Sequence, residues 1–211
     1  MPNELLYQIF IKLFVVIDPF AVLPMFIMLT RNDTPVGKRN TALKACSIAA
    51  GVLVVFAVLG DKLFHMLGIS QPALNIAGGG LLLLAAIEMV VAKDSGFHST
   101  TADESKEAFK RDDISVFPLA IPLIAGPGAL TTVVMVAHQA EEINIFAQAQ
   151  VIFVLFLVLG ITYAVLYMGD SVMRLLGVTG TNVLTRVFGI ILAALAVQIM
   201  INGVSGFIQH L

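Results

Sequence analysis

The sequence predicts an all-α membrane protein: six transmembrane helices built as two inverted three-helix repeats, with the first helix of each repeat broken at Pro19 and Pro127. Three observations lead there. The 211 residues are 58% hydrophobic and only 12% charged, far from the balance of a soluble domain of this length. Apolar runs long enough to cross a hydrocarbon core of about 30 Å, which takes about 20 helical residues, recur along the chain. The two halves also match each other at an offset of about 109 residues.

The apolar runs lie near Leu5 to Leu29, Ala42 to Gly60, Pro72 to Ala92, Ile114 to Ala137, Ile145 to Met168, and Val183 to Ile208. Lys12 and Asp18 interrupt the first and no small-residue cleavage site follows, so it reads as a retained helix rather than a signal peptide. The domains are then 1–92, a first three-helix repeat; 93–113, a polar linker; and 114–211, the second repeat. Arg31, Lys38, Arg39 and Lys44 fall in the first loop and Lys93, Lys106, Lys110 and Arg111 in the third, which places residues 30–44 and 93–113 in the cytoplasm and both termini outside.

In the self-match, Asp18-Pro19 falls opposite Gly126-Pro127, and the segment Gly60 to Ser70 falls opposite Gly169 to Thr179. Gly79 aligns with Gly189 and Glu88 with Gln198. A repeat with three spans must invert in the membrane, a plan recurrent in secondary transporters that hold substrate near the midplane where the copies meet. Asp61 and Asp170 read as caps of short interfacial helices ending at Gly68 and Gly177.

Pro19 and Pro127 each lie near mid-span, where proline removes a backbone donor and clashes with the preceding turn. Gly126 and Gly128 flank Pro127; Pro24 follows the first break, and Pro118 and Pro122 precede the second. Irregular backbone at membrane depth requires protein or a water-lined cavity beside it. Helices restarting at the breaks offer free amides and about half a positive charge, and inversion aims these ends at each other. With Thr131 and Thr132 one turn on, they form a candidate cradle for a small carboxylate. The competing reading is a proline kink in a packed helix.

Asp18 and Glu88 are acidic residues set well inside spans, each costing about 2.5 to 3.5 kcal/mol to insert. They are candidates to bind a substrate ammonium or to carry a proton; Asp18 also suits an N-cap. Arg186 reads as a snorkelling anchor or counter-ion first and a substrate contact second. Asn75 and Gln198 are candidate polar contacts, interhelical hydrogen bonding being their commonest use in membranes.

Other chemistries find little support. Cys46 is the only cysteine, which rules out an intramolecular disulfide or a thiolate metal cluster, and a membrane thiol-disulfide enzyme needs a cysteine in each repeat. There is no HExxH motif and no Ser/His pair within the spans, so the reading is not an enzyme, with no metal, no cofactor and no nucleic-acid partner. A passive channel or structural membrane protein stays open, as does a homo-oligomer.

Four motifs together carry a resemblance: Ile17-Asp18-Pro19-Phe20 with Pro24; Pro118-Leu119-Ala120-Ile121-Pro122 running into Ala125-Gly126-Pro127-Gly128; Ile76-Ala77-Gly78-Gly79; and Val197-Gln198-Ile199-Met200-Ile201-Asn202-Gly203. Over nearly its whole length the chain resembles the MarC family (UPF0056) of bacterial and archaeal inner-membrane proteins. One member type, SnatA, resembles a transporter of small neutral amino acids such as glycine and alanine, and the family is similar to the lysine-exporter superfamily. The resemblance implies a small zwitterionic substrate, which suits the site read from the residues, with its carboxylate toward the half-helix termini and its ammonium toward Asp18; the expectation is export or exchange by alternating access, with the proton as candidate coupling ion.

Overall fold

The computed structural model describes residues 3–91, 113–141, 143 and 145–209. Most of the linker expected at 93–113 lies outside the described residues. The described chain is helical: α1 (Asn3–Ile17), α2 (Pro19–Leu29), α3 (Pro35–Met66), α4 (Gln71–Val91), α5 (Ser115–Ile124), α6 (Pro127–Glu141), α7 (Ile145–Tyr167) and α8 (Gly169–Gln209). Five stretches are long and apolar enough to span a bilayer, α1 and α2 together forming the first. The pair α5 and α6, bent by 57°, makes a sixth.

Side-chain oxygens start α3 and α4. Thr34 caps α3, its Oγ1 accepting from Gly37 N at 3.1 Å, and Ser70 caps α4, its Oγ accepting from Ala73 N at 3.4 Å. At the far end of α3, Gly68 takes φ +71° and Ile69 N donates to Phe64 O, the six-to-one closure that a left-handed glycine permits.

Several sequence expectations are corrected. No separate interfacial helix begins at Asp61, because α3 runs unbroken from Pro35 to Met66 with Asp61 inside it. Asp170 does not cap α8: both its oxygens accept from Lys38 Nζ, at 3.1 and 3.0 Å. The helix that follows breaks at Gly177 (φ 65°, ψ 177°), as expected, and then continues to Gln209. The fourth span does not break at Pro127 alone. Phe117 (φ −128°, ψ 127°) and Ile121 (φ −130°, ψ 122°) are extended, the conformation to which a following proline restricts a residue. Irregular backbone therefore recurs from Phe117 to Gly126.

Two ion pairs fix the direction of the helices. Lys38 meets Asp170 and Lys44 meets Asp113, so the starts of α3, α5 and α8 share one end of the bundle. At that end the Lys44 ammonium and the Ser115 hydroxyl, both donating to it, hold the Asp113 carboxyl down at about 2. It follows that α1–α2 runs toward this basic end and α5–α6 away from it.

Small residues set the packing, as expected where lipid removes the hydrophobic drive and close van der Waals contact takes over. Ala42, Ala45, Ala49 and Ala57 make a buried stripe on α3. On the antiparallel α4–α8 pair, a β-carbon at Gly79 would fall 2.8 Å from Ala196 O, and one at Gly189 would fall 3.1 Å from Ala86 O. Gly60 likewise packs on Val134 of α6, while its sequence counterpart Gly169 packs on Leu23 of α2. Glycines that align between the halves thus make reciprocal contacts across them.

Candidate functional site

The first break is built by Asp18. With φ 39° and ψ 78° it occupies the left-handed region, where a short polar side chain that bonds locally is tolerated. Oδ1 accepts from Phe20 N and Ala21 N, both at 3.2 Å, and Pro19 fills the first helical position, where a missing donor costs nothing. Oδ2 has no hydrogen-bond partner, although Asp18 is only 3% exposed. The Thr185 hydroxyl of α8 approaches the carboxyl without bonding Oδ2. Phe188, one turn further along α8, straddles the break, its ring 5.7 Å from Phe14 and 6.1 Å from Phe20.

The second break lacks such a cap. Gly126 stands where Asp18 stands in the first, and its carbonyl accepts from Leu130 N. It has no side chain to turn back on the amides of Gly128 and Ala129, which by helix geometry have no acceptor within α6. A β-carbon on Gly126 would fall 2.6 Å from Pro122 O, so the tight approach of the backbone excludes a capping residue. The positive end of α6 is therefore open, whereas that of α2 is occupied by its own Asp18.

The breaks adjoin. A β-carbon on Gly128 would lie 3.4 Å from Val16 Cγ1, two residues before Asp18, and 3.3 Å from Leu82 of α4. Of the two threonines, Thr131 donates its hydroxyl to Pro127 O at 2.8 Å and packs its methyl against Gly78, so it serves the helix. Thr132 is 2% exposed and its Oγ1 has no partner.

The remaining predicted residues lie elsewhere. Asn75, on α4, accepts from Gln71 Nε2 and packs on Gly203. Gln198 is exposed and donates to Asn202 at 2.9 Å along α8. Arg186 is exposed on α8, and Glu88 is half-buried on α4, six residues or about 9 Å past the Leu82 that meets Gly128. Asn75 and Gln198 thus spend their polar groups along their own helices.

Sequence reasoning passed over Lys12 and Thr185. Lys12 is half-buried within the first span and has no ion pair among the described residues. It lies one turn before Val16 on the same stripe, as Thr132 lies one turn after Gly128; the two helices run in opposite directions, so Lys12 and Thr132 share a depth. A lysine inside an apolar run was the available signal. Nothing in sequence marks Thr185. Among the described residues, no group of three His, Cys, Asp or Glu side chains is placed to hold a metal ion.

Residues 3–208 match the MarC family of integral membrane proteins. The chain belongs to the MarC family. Relatives with the family's UPF0056 designation include a membrane protein of Methanocaldococcus jannaschii, 36% identical over 197 residues, covering 93% of this chain and 94% of the relative. YvbG of Bacillus subtilis is 35% identical over 206 residues, covering 98% and 97%. The inner membrane protein YhgN of Escherichia coli is 31% identical over 194 residues, covering 92% and 93%. No solved structure matches the chain. As in its MarC relatives, the chain is an integral, multi-pass membrane protein.

Proposed function

We propose that this MarC-family protein is a transporter, not an enzyme, that carries small neutral amino acids of the glycine and alanine type by alternating access. The observation that carries the reading is the orphaned Asp18 Oδ2, buried beside the uncapped N-terminus of α6. A buried, unpaired carboxylate oxygen is costly and marks a place for a cation. The open amides of Gly128 and Ala129, with the free Thr132 hydroxyl, suit a carboxylate. Together they match a zwitterion too small to reach further, its ammonium on Asp18 and its carboxylate on α6. Pro19, Gly126 and Pro127 shape the two breaks, and Lys12 adds positive charge on the carboxylate side.

The burial of both orphaned groups favours a transport cycle over a passive channel, since a channel needs an open wet path past them. Asp18 is also the group placed to carry a coupling proton during export or exchange; Glu88 and Arg186 act, in this reading, as counter-charges outside the site. The basic end, with residues 30–44, faces the cytoplasm and both termini face outside. The test is uptake of labelled glycine and alanine into proteoliposomes, with and without an imposed pH gradient. Uptake above empty liposomes supports the reading, and its absence for both amino acids overturns the substrate.

A further inference from the structure

A groove of about 470 Å³ runs between α3 and α7, away from the breaks and open along one side. Leu43, Ser47, Gly51 and Val54 line it from α3, and Gly160 and Tyr163 from α7. It exists because two positions lack side chains: a β-carbon on Gly51 or on Gly160 would meet nothing within 4 Å. From Leu43 to Val54 the helix rises about 17 Å, close to the roughly 15 Å of hydrocarbon in one leaflet.

The mouth of the groove lies at the basic end and is polar. Arg39, one turn before Leu43 on the same stripe of α3, is exposed and makes no ion pair among the described residues, whereas Lys38 and Lys44 are held by Asp170 and Asp113. Tyr163 and Tyr167 stack there with centroids 6.0 Å apart, amphipathic rings of the kind that settle at headgroup level. Ser47 adds an exposed hydroxyl just inside.

We infer that the α3–α7 groove binds one phospholipid with an anionic headgroup, from the leaflet at the basic end. One acyl chain lies along Ser47, Gly51 and Gly160, and the phosphate meets the Arg39 guanidinium, whose planar fork fits phosphate oxygens. The lipid wedges apart two helices that otherwise approach through small residues.

The test is native mass spectrometry of the delipidated full chain in detergent, titrated with phosphatidylglycerol or with phosphatidylcholine of the same acyl chains. The first phosphatidylglycerol adduct is expected to bind at least about fivefold more tightly than the first phosphatidylcholine adduct, because both carry the phosphate but the choline ammonium neutralises its own headgroup and repels the Arg39 guanidinium. Arg39→Gln lowers phosphatidylglycerol to the phosphatidylcholine level. Gly160→Leu, and separately Gly51→Leu, fill the groove and remove the first adduct of both lipids, while the elution volume on size exclusion stays that of the unaltered protein; both positions are open, so neither variant depends on the other folding. Equal binding of the two lipids, or a first adduct unchanged by both groove-filling variants, overturns the inference.

Discussion

Val16 and Gly128 stand against each other where the two broken helices adjoin, with 3.4 Å between Val16 Cγ1 and the place a Gly128 β-carbon would take. One added methyl there requires Val16 and Leu82 to give by a few tenths of an ångström. Gly128→Ala is expected to fold with transport reduced, and Gly128→Leu to lose both. Gly126→Ala is expected to be worse than Gly128→Ala, because its β-carbon meets a backbone oxygen that cannot swing aside. Thermal unfolding in detergent beside proteoliposome uptake separates these outcomes.

Asp18 can be split into its two jobs. Asparagine keeps a side-chain oxygen for the Phe20 and Ala21 amides and tolerates the left-handed backbone, so Asp18→Asn is expected to retain its unfolding temperature. It loses the charge on Oδ2, and uptake should fall by about tenfold or more. Asp18→Ala also loses the cap, at about 1 kcal/mol of stability. Unchanged uptake and pH dependence in the asparagine variant would remove Asp18 from the site.

The paired threonines give an internal control. Thr132→Val removes a buried hydroxyl without a partner and should raise the KM for alanine about tenfold, the loss of one good hydrogen bond to substrate. Thr131→Val keeps the methyl that packs on Gly78 and should leave KM within about twofold. Equal effects at the two positions would contradict the assignment.

At the basic end, Lys38 and Asp170 tie the two halves together through a partly exposed pair. A double-mutant cycle with Lys38→Met and Asp170→Asn is expected to give a coupling of about 0.2–1 kcal/mol, falling as salt is added. The neighbouring Lys44–Asp113 pair should survive acidification past the usual carboxylate value of 3.8, since the Asp113 carboxyl lets go of Lys44 only as the pH falls toward about 2.

Much of the fold was legible because a bilayer demands long apolar runs and tolerates little else. Asp18-Pro19 announced its break, since a charge followed by proline at mid-span has few other uses. The second break was legible only in part: extended backbone at Phe117 and Ile121 comes from the prolines after them, but how far it disrupts the helix depends on what packs around it. Asp170 was misassigned as a cap because its partner, Lys38, lies far off in the chain and is adjacent only once the bundle forms. Gln198 lies on an exposed side of α8, which the sequence left open because span hydropathy reports depth and leaves the face undetermined. Thr185 carries no mark in the sequence at all, whereas Lys12 was visible as a charge inside an apolar run and was not taken as a site residue.

The missing cap at Gly126 has a consequence for the order of events in the proposed transport cycle. Because α2 has spent its positive pole on Asp18 and α6 has not, the two ends of the site differ in sign along the bundle. A molecule with an ammonium at one end and a carboxylate at the other can then settle in one orientation only. In the proposed cycle it arrives from the basic side carboxylate first, its ammonium coming to rest on Asp18 behind it, and reaches the opposite side the same way round, without turning over in transit.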